Sequence, residues 1–261
     1  MRKLILSAVA AAAVMAAASA HAVPTLTFSL TDTATMANLS CSVTATGLVM
    51  GCNTGAGFLF AAGLSNTAGA LAMRFEGRIG GYEIAFNSTT SNTPGNFFEA
   101  VITNSYDNLR NVSSAGSLIV SMTAVDFVLP AGPALTLSGS QSTSSNSNNT
   151  GSITSAFYAN GNNTSTPSVG ASATTSCVIG AAAASSCPAP EQHFTNVGSF
   201  SLQDVMTFNL ATLIVGTSSS VQGGSNLQVV NRVPEPMTTA LVGLGLFGAA
   251  LFSRRRKATQ A

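Results

Sequence analysis

Between Val23 and Arg232 there is no lysine, no tryptophan and only one histidine, His193. The four basic residues there are Arg74, Arg78, Arg110 and Arg232. The acidic ones are Asp32, Glu76, Glu83, Glu99, Asp107, Asp126, Glu191 and Asp204, so four minus eight leaves −4. A mildly acidic stretch without lysine argues against nucleic acid or an anionic lipid surface as a partner. The lack of tryptophan removes the strongest platform for stacking on sugars, leaving Tyr82, Tyr106 and Tyr158. A Ser-His-Asp triad would have to use His193, and no G-x-S-x-G elbow selects a serine for it. Glu191 could pair with His193 as acid and base; a solvated loop after Pro188 and Pro190 is the plainer expectation. No C-x-x-C occurs, so a metal site and a cofactor are not expected.

What the chain has instead is Ser, Thr, Asn and Gly. Strand signals are frequent and helical periodicity is nearly absent. Leu26, Phe28 and Leu30 alternate with Thr25, Thr27, Ser29 and Thr31. The same two-residue period runs through Leu39–Ala45, Leu71–Phe75, Tyr82–Phe86, Phe98–Ile102, Leu118–Ala124 and Leu135–Leu137. Gly80-Gly81 reads as a hairpin turn. Further strands are expected at Ile153–Tyr158, Phe194–Leu202, Val205–Val215 and Ser218–Val230. About nine to eleven strands with close turns predict an antiparallel all-β sandwich, jelly-roll or immunoglobulin-like. Segments 138–152 and 159–190 look too polar to contribute to a core and are expected to be low-order loops.

A glycosidase would need two carboxylates across a cleft. Glu76, Glu83, Glu99, Asp126 and Asp204 qualify by type only, and Glu76 and Glu83 flank a turn where exposed charge is ordinary. The cysteines, Cys41, Cys52, Cys177 and Cys187, are even in number and allow three pairings. Short separations favour Cys41 with Cys52 and Cys177 with Cys187, which suits an oxidising compartment. Six N-x-S/T sequons, beginning at Asn38, Asn87, Asn111, Asn148, Asn162 and Asn163, reflect composition.

Both ends carry handling signals. Residues 1–22 read as a signal peptide: Arg2-Lys3, an apolar stretch from Leu4 to Ala18, and cleavage after Ala22 to leave Val23 first. A retained anchor is the alternative, and the run is short and alanine-rich for that role. At the other end Val233-Pro234-Glu235-Pro236 forms a stiff extended strip. The apolar run from Met237 to Phe252 follows, about 24 Å long as a helix at roughly 1.5 Å per residue. Arg254, Arg255, Arg256 and Lys257 then form a basic stop that stays cytoplasmic, placing residues 23–232 outside. Gly243, Gly245 and Gly248 spell G-x-G-x-x-G, but no acidic residue follows at dinucleotide-site spacing. A plain single-span anchor would explain the same run.

The order of proline strip, small apolar helix and basic stop in 233–261 resembles the PEP-CTERM sorting signal of exopolysaccharide-producing Gram-negative bacteria. The resemblance implies recognition of Pro234-Glu235-Pro236 by an exosortase, a membrane-embedded cysteine transpeptidase-like enzyme. It also implies an inner-membrane intermediate with a periplasmic ectodomain, then the cell surface or matrix. More loosely, Phe200–Leu210 and the last strand resemble a C-terminal hairpin of such ectodomains. The expectation is a non-catalytic exported protein associated with exopolysaccharide in biofilm. A glycan-binding module or a carbohydrate-active enzyme on the same scaffold is the alternative.

Overall fold

The computed structural model describes residues 25–44, 49–54, 66–67, 70–90, 99–130, 132–145, 150–164, 170–180, 184–196, 198–212 and 220–231. Fifteen strands lie among them. They are β1 (Thr25–Asp32), β2 (Ala37–Thr44), β3 (Val49–Thr54), β4 (Asn66–Thr67) and β5 (Ala70–Ile79). Next come β6 (Tyr82–Thr90), β7 (Glu99–Asn111), β8 (Leu118–Phe127), β9 (Gly132–Ser145) and β10 (Gly151–Asn160). The last are β11 (Ala171–Ile179), β12 (Ala184–Pro188), β13 (Gln192–Asn196), β14 (Phe200–Leu210) and β15 (Val221–Asn231).

All pairings are antiparallel. One sheet runs β11-β10-β14-β8-β1-β2-β3 and the other β12-β9-β15-β7-β6-β5-β4, with β13 also on β9. The two pack as the expected sandwich. Its strand count exceeds the expected nine to eleven, because several polar strands carry no hydrophobic alternation. Alternation explains most of the core: β1 buries every second residue, and Phe28 lies opposite Cys41 on one side and Met122 on the other. Phe28 stacks on Phe86 with ring centroids 5.3 Å apart and approaches Phe75 at 6.1 Å. Phe127 and Phe200 stack at 5.6 Å. Each fully buried ring contributes roughly 1.5–3 kcal/mol.

The β5–β6 hairpin turns at Gly80-Gly81, where only Gly80 has positive φ (53°), the pattern of a type II′ connection. Asp32 locks this corner. Its carboxylate accepts hydrogen bonds from Gly81 N at 2.9 Å, Ser114 Oγ at 2.7 Å and Ala34 N at 3.0 Å. Burial pushes the Asp32 pKa up, but these donors outweigh that and hold it below the usual carboxylate value.

Several expectations need correction. Segments 138–152 and 159–190 are not low-order loops where they are described: they supply all of β11 and β12, the second half of β9 and both ends of β10. Their polarity is not a sign of disorder, because hydrogen bonds between side chains replace apolar contacts there. Ser155 Oγ donates to Gln141 Oε1 at 2.6 Å, and Gln141 Nε2 donates to the Tyr106 phenol at 2.9 Å. Phe194–Leu202 is not one strand but the end of β13 and the start of β14. Nor do β14 and β15 form a hairpin; they belong to different sheets. Where hydrophobic alternation marks a strand, it does not say which sheet the strand joins.

Candidate functional site

Arg74, Glu76, Arg78, Glu83 and Arg110 gather on the outer face of one sheet. Arg78 on β5 is opposite Glu83 on β6, which is opposite Arg110 on β7. A bulge sets this row. Two β7 residues, Asn108 and Leu109, stand against Ile84, and Asn108 adopts φ 51°. The bulge turns Leu109 into the core and Arg110 outward. Arg110 Nε donates to Glu83 Oε2 at 2.7 Å, and a second guanidinium nitrogen makes a still closer ion pair. Arg74 pairs with Glu76 at 3.0 Å, and Arg78 donates to Gly80 O and Ser113 Oγ. Glu76, Arg78, Glu83, Ala85, Asn108 and Arg110 line a shallow cavity of about 460 Å³. Each carboxylate there is paired with a guanidinium rather than with the other carboxylate, Glu76 with Arg74 and Glu83 with Arg110.

The other candidate carboxylates do not join them. Asp204 points the opposite way, into the core, and is fully buried. Asn104 Nδ2 donates to its Oδ2 at 2.6 Å, and Ser225 Oγ makes a very short bond to the same oxygen. Asp204 Oδ1 has no hydrogen-bond partner. Burial raises the pKa to about 6, against the pull of the Ser225 and Asn104 hydrogen bonds. Asp126 bonds instead to Asn163, with Nδ2 to Oδ1 at 2.6 Å, and Glu99 opens β7.

His193 is not on a loop: it lies in β13, because Thr136 and its strand offer a pairing edge. Its Nδ1 is 3.0 Å from Thr136 Oγ1, and Glu191 is exposed just before the strand. Tyr82 and Tyr106 are buried. The Tyr82 hydroxyl donates to Gly116 O at 2.6 Å and that of Tyr106 to Ser142 O at 3.0 Å. Burial pushes both phenols up. Of the tyrosines only Tyr158 is left on an outer sheet face. Among the described residues no group of three or more His, Cys, Asp or Glu could hold a metal ion.

Cys41 is bonded to Cys52, and Cys177 to Cys187. The first disulfide ties β2 to β3. The second joins β11 of one sheet to β12 of the other.

The outer face of the β11-to-β3 sheet is built differently from the charged one. Straight across six strands, one row is Thr174, Ala156, Val205, Ser121, Ser29 and Ser40. The next is Ser176, Thr154, Thr207, Ile119, Thr31 and Asn38. A third begins Ser172, Tyr158, Gln203 and continues to Thr123, Thr27 and Ser42. No charge occurs in any row. Pieces of this face, such as Thr25, Thr27, Ser29 and Thr31, are visible in the sequence, but the strand order that assembles it is not.

Ala22, Val23, Val233, Pro234, Glu235, Pro236, the 237–252 run and Arg254, Arg255, Arg256 and Lys257 lie outside the described residues. Among the described residues no helix is long and apolar enough to cross a membrane. Those tail residues nevertheless match a family model over 232–257. Residues 232–257 are a PEP-CTERM protein-sorting motif. A PEP-CTERM chain is exported, anchored in the membrane and then processed by an exosortase. No curated protein sequence matches the chain. Among solved structures, that of infectious bursal disease virus Gx strain aligns at 11% identity and TM-score 0.28, over 84% of this chain. This chain spans about half, 54%, of that viral chain. The family 11 carbohydrate-binding module of cellulosomal cellulase Lic26A-Cel5E of Clostridium thermocellum aligns at 11% identity and TM-score 0.23. That alignment covers 68% of this chain and 96% of the module. At such TM-scores neither likeness carries an argument.

Proposed function

We propose that this PEP-CTERM protein is a non-catalytic component of the cell surface or extracellular matrix, associated with exopolysaccharide in biofilm. The sorting motif at 232–257 carries the reading. In this reading the signal peptide starts export and the apolar run halts it, with Arg254–Lys257 in the cytoplasm. The exosortase acts near Pro234-Glu235-Pro236 and releases or transfers the β-sandwich from the periplasmic face. Two disulfides support a working life in an oxidising compartment. The placement of two candidate carboxylates and of Asp204 supports a role without turnover, because Glu76 and Glu83 are paired with Arg74 and Arg110 and Asp204 is sealed in the core.

Replacing Pro234, Glu235 and Pro236 together with alanine tests the sorting step in cells that carry the enzyme. The variant is expected to accumulate as a larger, membrane-bound form. Processing and release at the parental rate would exclude the proposed role of the motif. Incubation of the protein with host exopolysaccharide tests the absence of turnover: chain shortening that is abolished by a carboxylate-to-amide change would make it an enzyme.

A further inference from the structure

We propose that the outer face of the β11-β10-β14-β8-β1-β2 sheet is a binding surface for an uncharged, hydroxyl-rich polysaccharide laid across the strands. The inference rests on the matrix role proposed above and assigns it a surface and a class of ligand.

The composition of the face is the first argument. Of the eighteen positions in the three rows, fifteen carry a hydroxyl or an amide; Ala156, Val205 and Ile119 are the exceptions. An ordinary soluble surface is roughly a quarter to a third charged, so about five charges would be expected, and there are none. The sequence itself has no charged residue between Asp126 and Glu191, which covers β10 and β11. The described arginines, Arg74, Arg78 and Arg110, are all in β5 and β7 of the other sheet. A face without charge offers an ionic polymer no counter-ion, but it meets a neutral glycan without the cost of desolvating ions.

The second argument is geometric. Neighbouring strands hold their side chains about 4.8 Å apart, and residues i and i+2 on a strand are about 6.7 Å apart. The hydroxyls therefore form a fixed array on which a sugar chain can exchange water for donors and acceptors at every strand. Serine and threonine have few rotamers to lose, so ordering them on binding costs little. The hydroxyls can also reverse roles: either of Thr27 Oγ1 and Ser42 Oγ, 3.1 Å apart, can be the donor. Tyr158 supplies one ring at the same face for stacking.

A third observation comes from the middle of the array. Gln203 is 7% exposed and donates from Nε2 to Ser121 Oγ at 2.8 Å, but its Oε1 accepts no hydrogen bond. A buried amide oxygen without a donor is costly; it is shielded on the unliganded face, so a ligand hydroxyl becomes its donor only when the Gln203 side chain turns outward.

The test uses the full chain purified in mild detergent, with hydroxyethyl cellulose, dextran and galactomannan as neutral probes and alginate as the anionic one. Binding to at least one neutral glycan is expected to exceed that to alginate. Ser29→Lys/Ser176→Lys/Thr207→Lys should weaken it by more than about tenfold, as would follow from losing several modest hydrogen bonds. The gentler Ser29→Ala/Ser121→Ala/Thr154→Ala set should weaken it in the same direction, and it guards against misfolding of the lysine variant. Arg78→Ala/Glu83→Ala on the other sheet should leave it unchanged. The proposal is overturned by preference for alginate, by loss of binding in the Arg78/Glu83 variant, by unchanged affinity in both grid variants, or by no binding to any neutral probe. Processing of the tail is scored separately, so a failure here is distinct from a failure of the sorting reading.

Discussion

The Phe157 ring occupies the space in which residue 139 would carry a side chain: an ideal Cβ on Gly139 would stand 2.3 Å from Phe157 Cδ2. Phe157 comes from β10 and Gly139 from β9, on opposite sheets. Gly139→Ala should therefore push a fully buried ring and cost roughly 1–3 kcal/mol by overpacking. Gly198→Ala is the control, since a Cβ there meets nothing within 4 Å. Urea unfolding of the two variants measures the difference. Equal midpoints would mean that β9 and β10 do not pack as described.

The same contact shows why 138–152 and 159–190 resemble loops in sequence. Segment 138–145 has no large apolar residue, yet it is a strand bonded on both sides. It contributes a gap for Phe157, and Gln141 as a partner for Ser155 and Tyr106. None of these depends on hydrophobic alternation, and the partners are distant in the chain. By contrast, β1 is legible because Leu26, Phe28 and Leu30 bury themselves and nothing else need be known. The charged row at Arg78, Glu83 and Arg110 requires both the strand order and a bulge, so only its residue types are legible beforehand.

Asp204 makes the fold more stable in mild acid than at neutral pH. Its pKa is raised from 3.8 in the unfolded chain to about 6 in the core. A raised carboxyl binds its proton more tightly when folded, so its contribution to stability is full below the unfolded value and is lost as pH rises through about 6. The difference of about two units corresponds to about 3 kcal/mol. Asn104 and Ser225 contact the carboxyl directly. Melting temperature should thus rise between pH 7 and pH 4, and Asp204→Asn should flatten that slope. A wild-type slope that persists in the variant would place the titration elsewhere.

Asp32 acts in the opposite sense and in a lower window. Its lowered pKa gives stability that is present above the unfolded value near 3.8 and is lost as pH falls through the folded one. Asp32→Ala would strand Gly81 N and Ser114 Oγ without an acceptor in a buried corner, at about 1–3 kcal/mol for each group left unsatisfied. Loss of the acid limb of the stability curve in this variant, beside a lower midpoint at neutral pH, is the expected pattern. An unchanged acid limb would refute the assignment.

The Cys177–Cys187 bridge closes a separation of 10 residues between the two sheets. On the chain-entropy account it contributes about 3 kcal/mol. Cys177→Ser/Cys187→Ser should lower the unfolding free energy by about that amount, while Glu83→Gln on the exposed face should change it by less than about 1 kcal/mol. A larger loss from Glu83→Gln than from the cysteine pair would mean that the surface ion pair outweighs the covalent link.

Intact-mass spectrometry of the protein recovered from its host tests the central claim most directly. An exported, exosortase-processed chain should begin at Val23, lack the residues beyond the cut near Pro234-Glu235-Pro236, and weigh four hydrogens less than its reduced form. A chain found in the cytoplasm with Met1 and Ala261 both in place and its four thiols reduced would contradict the account.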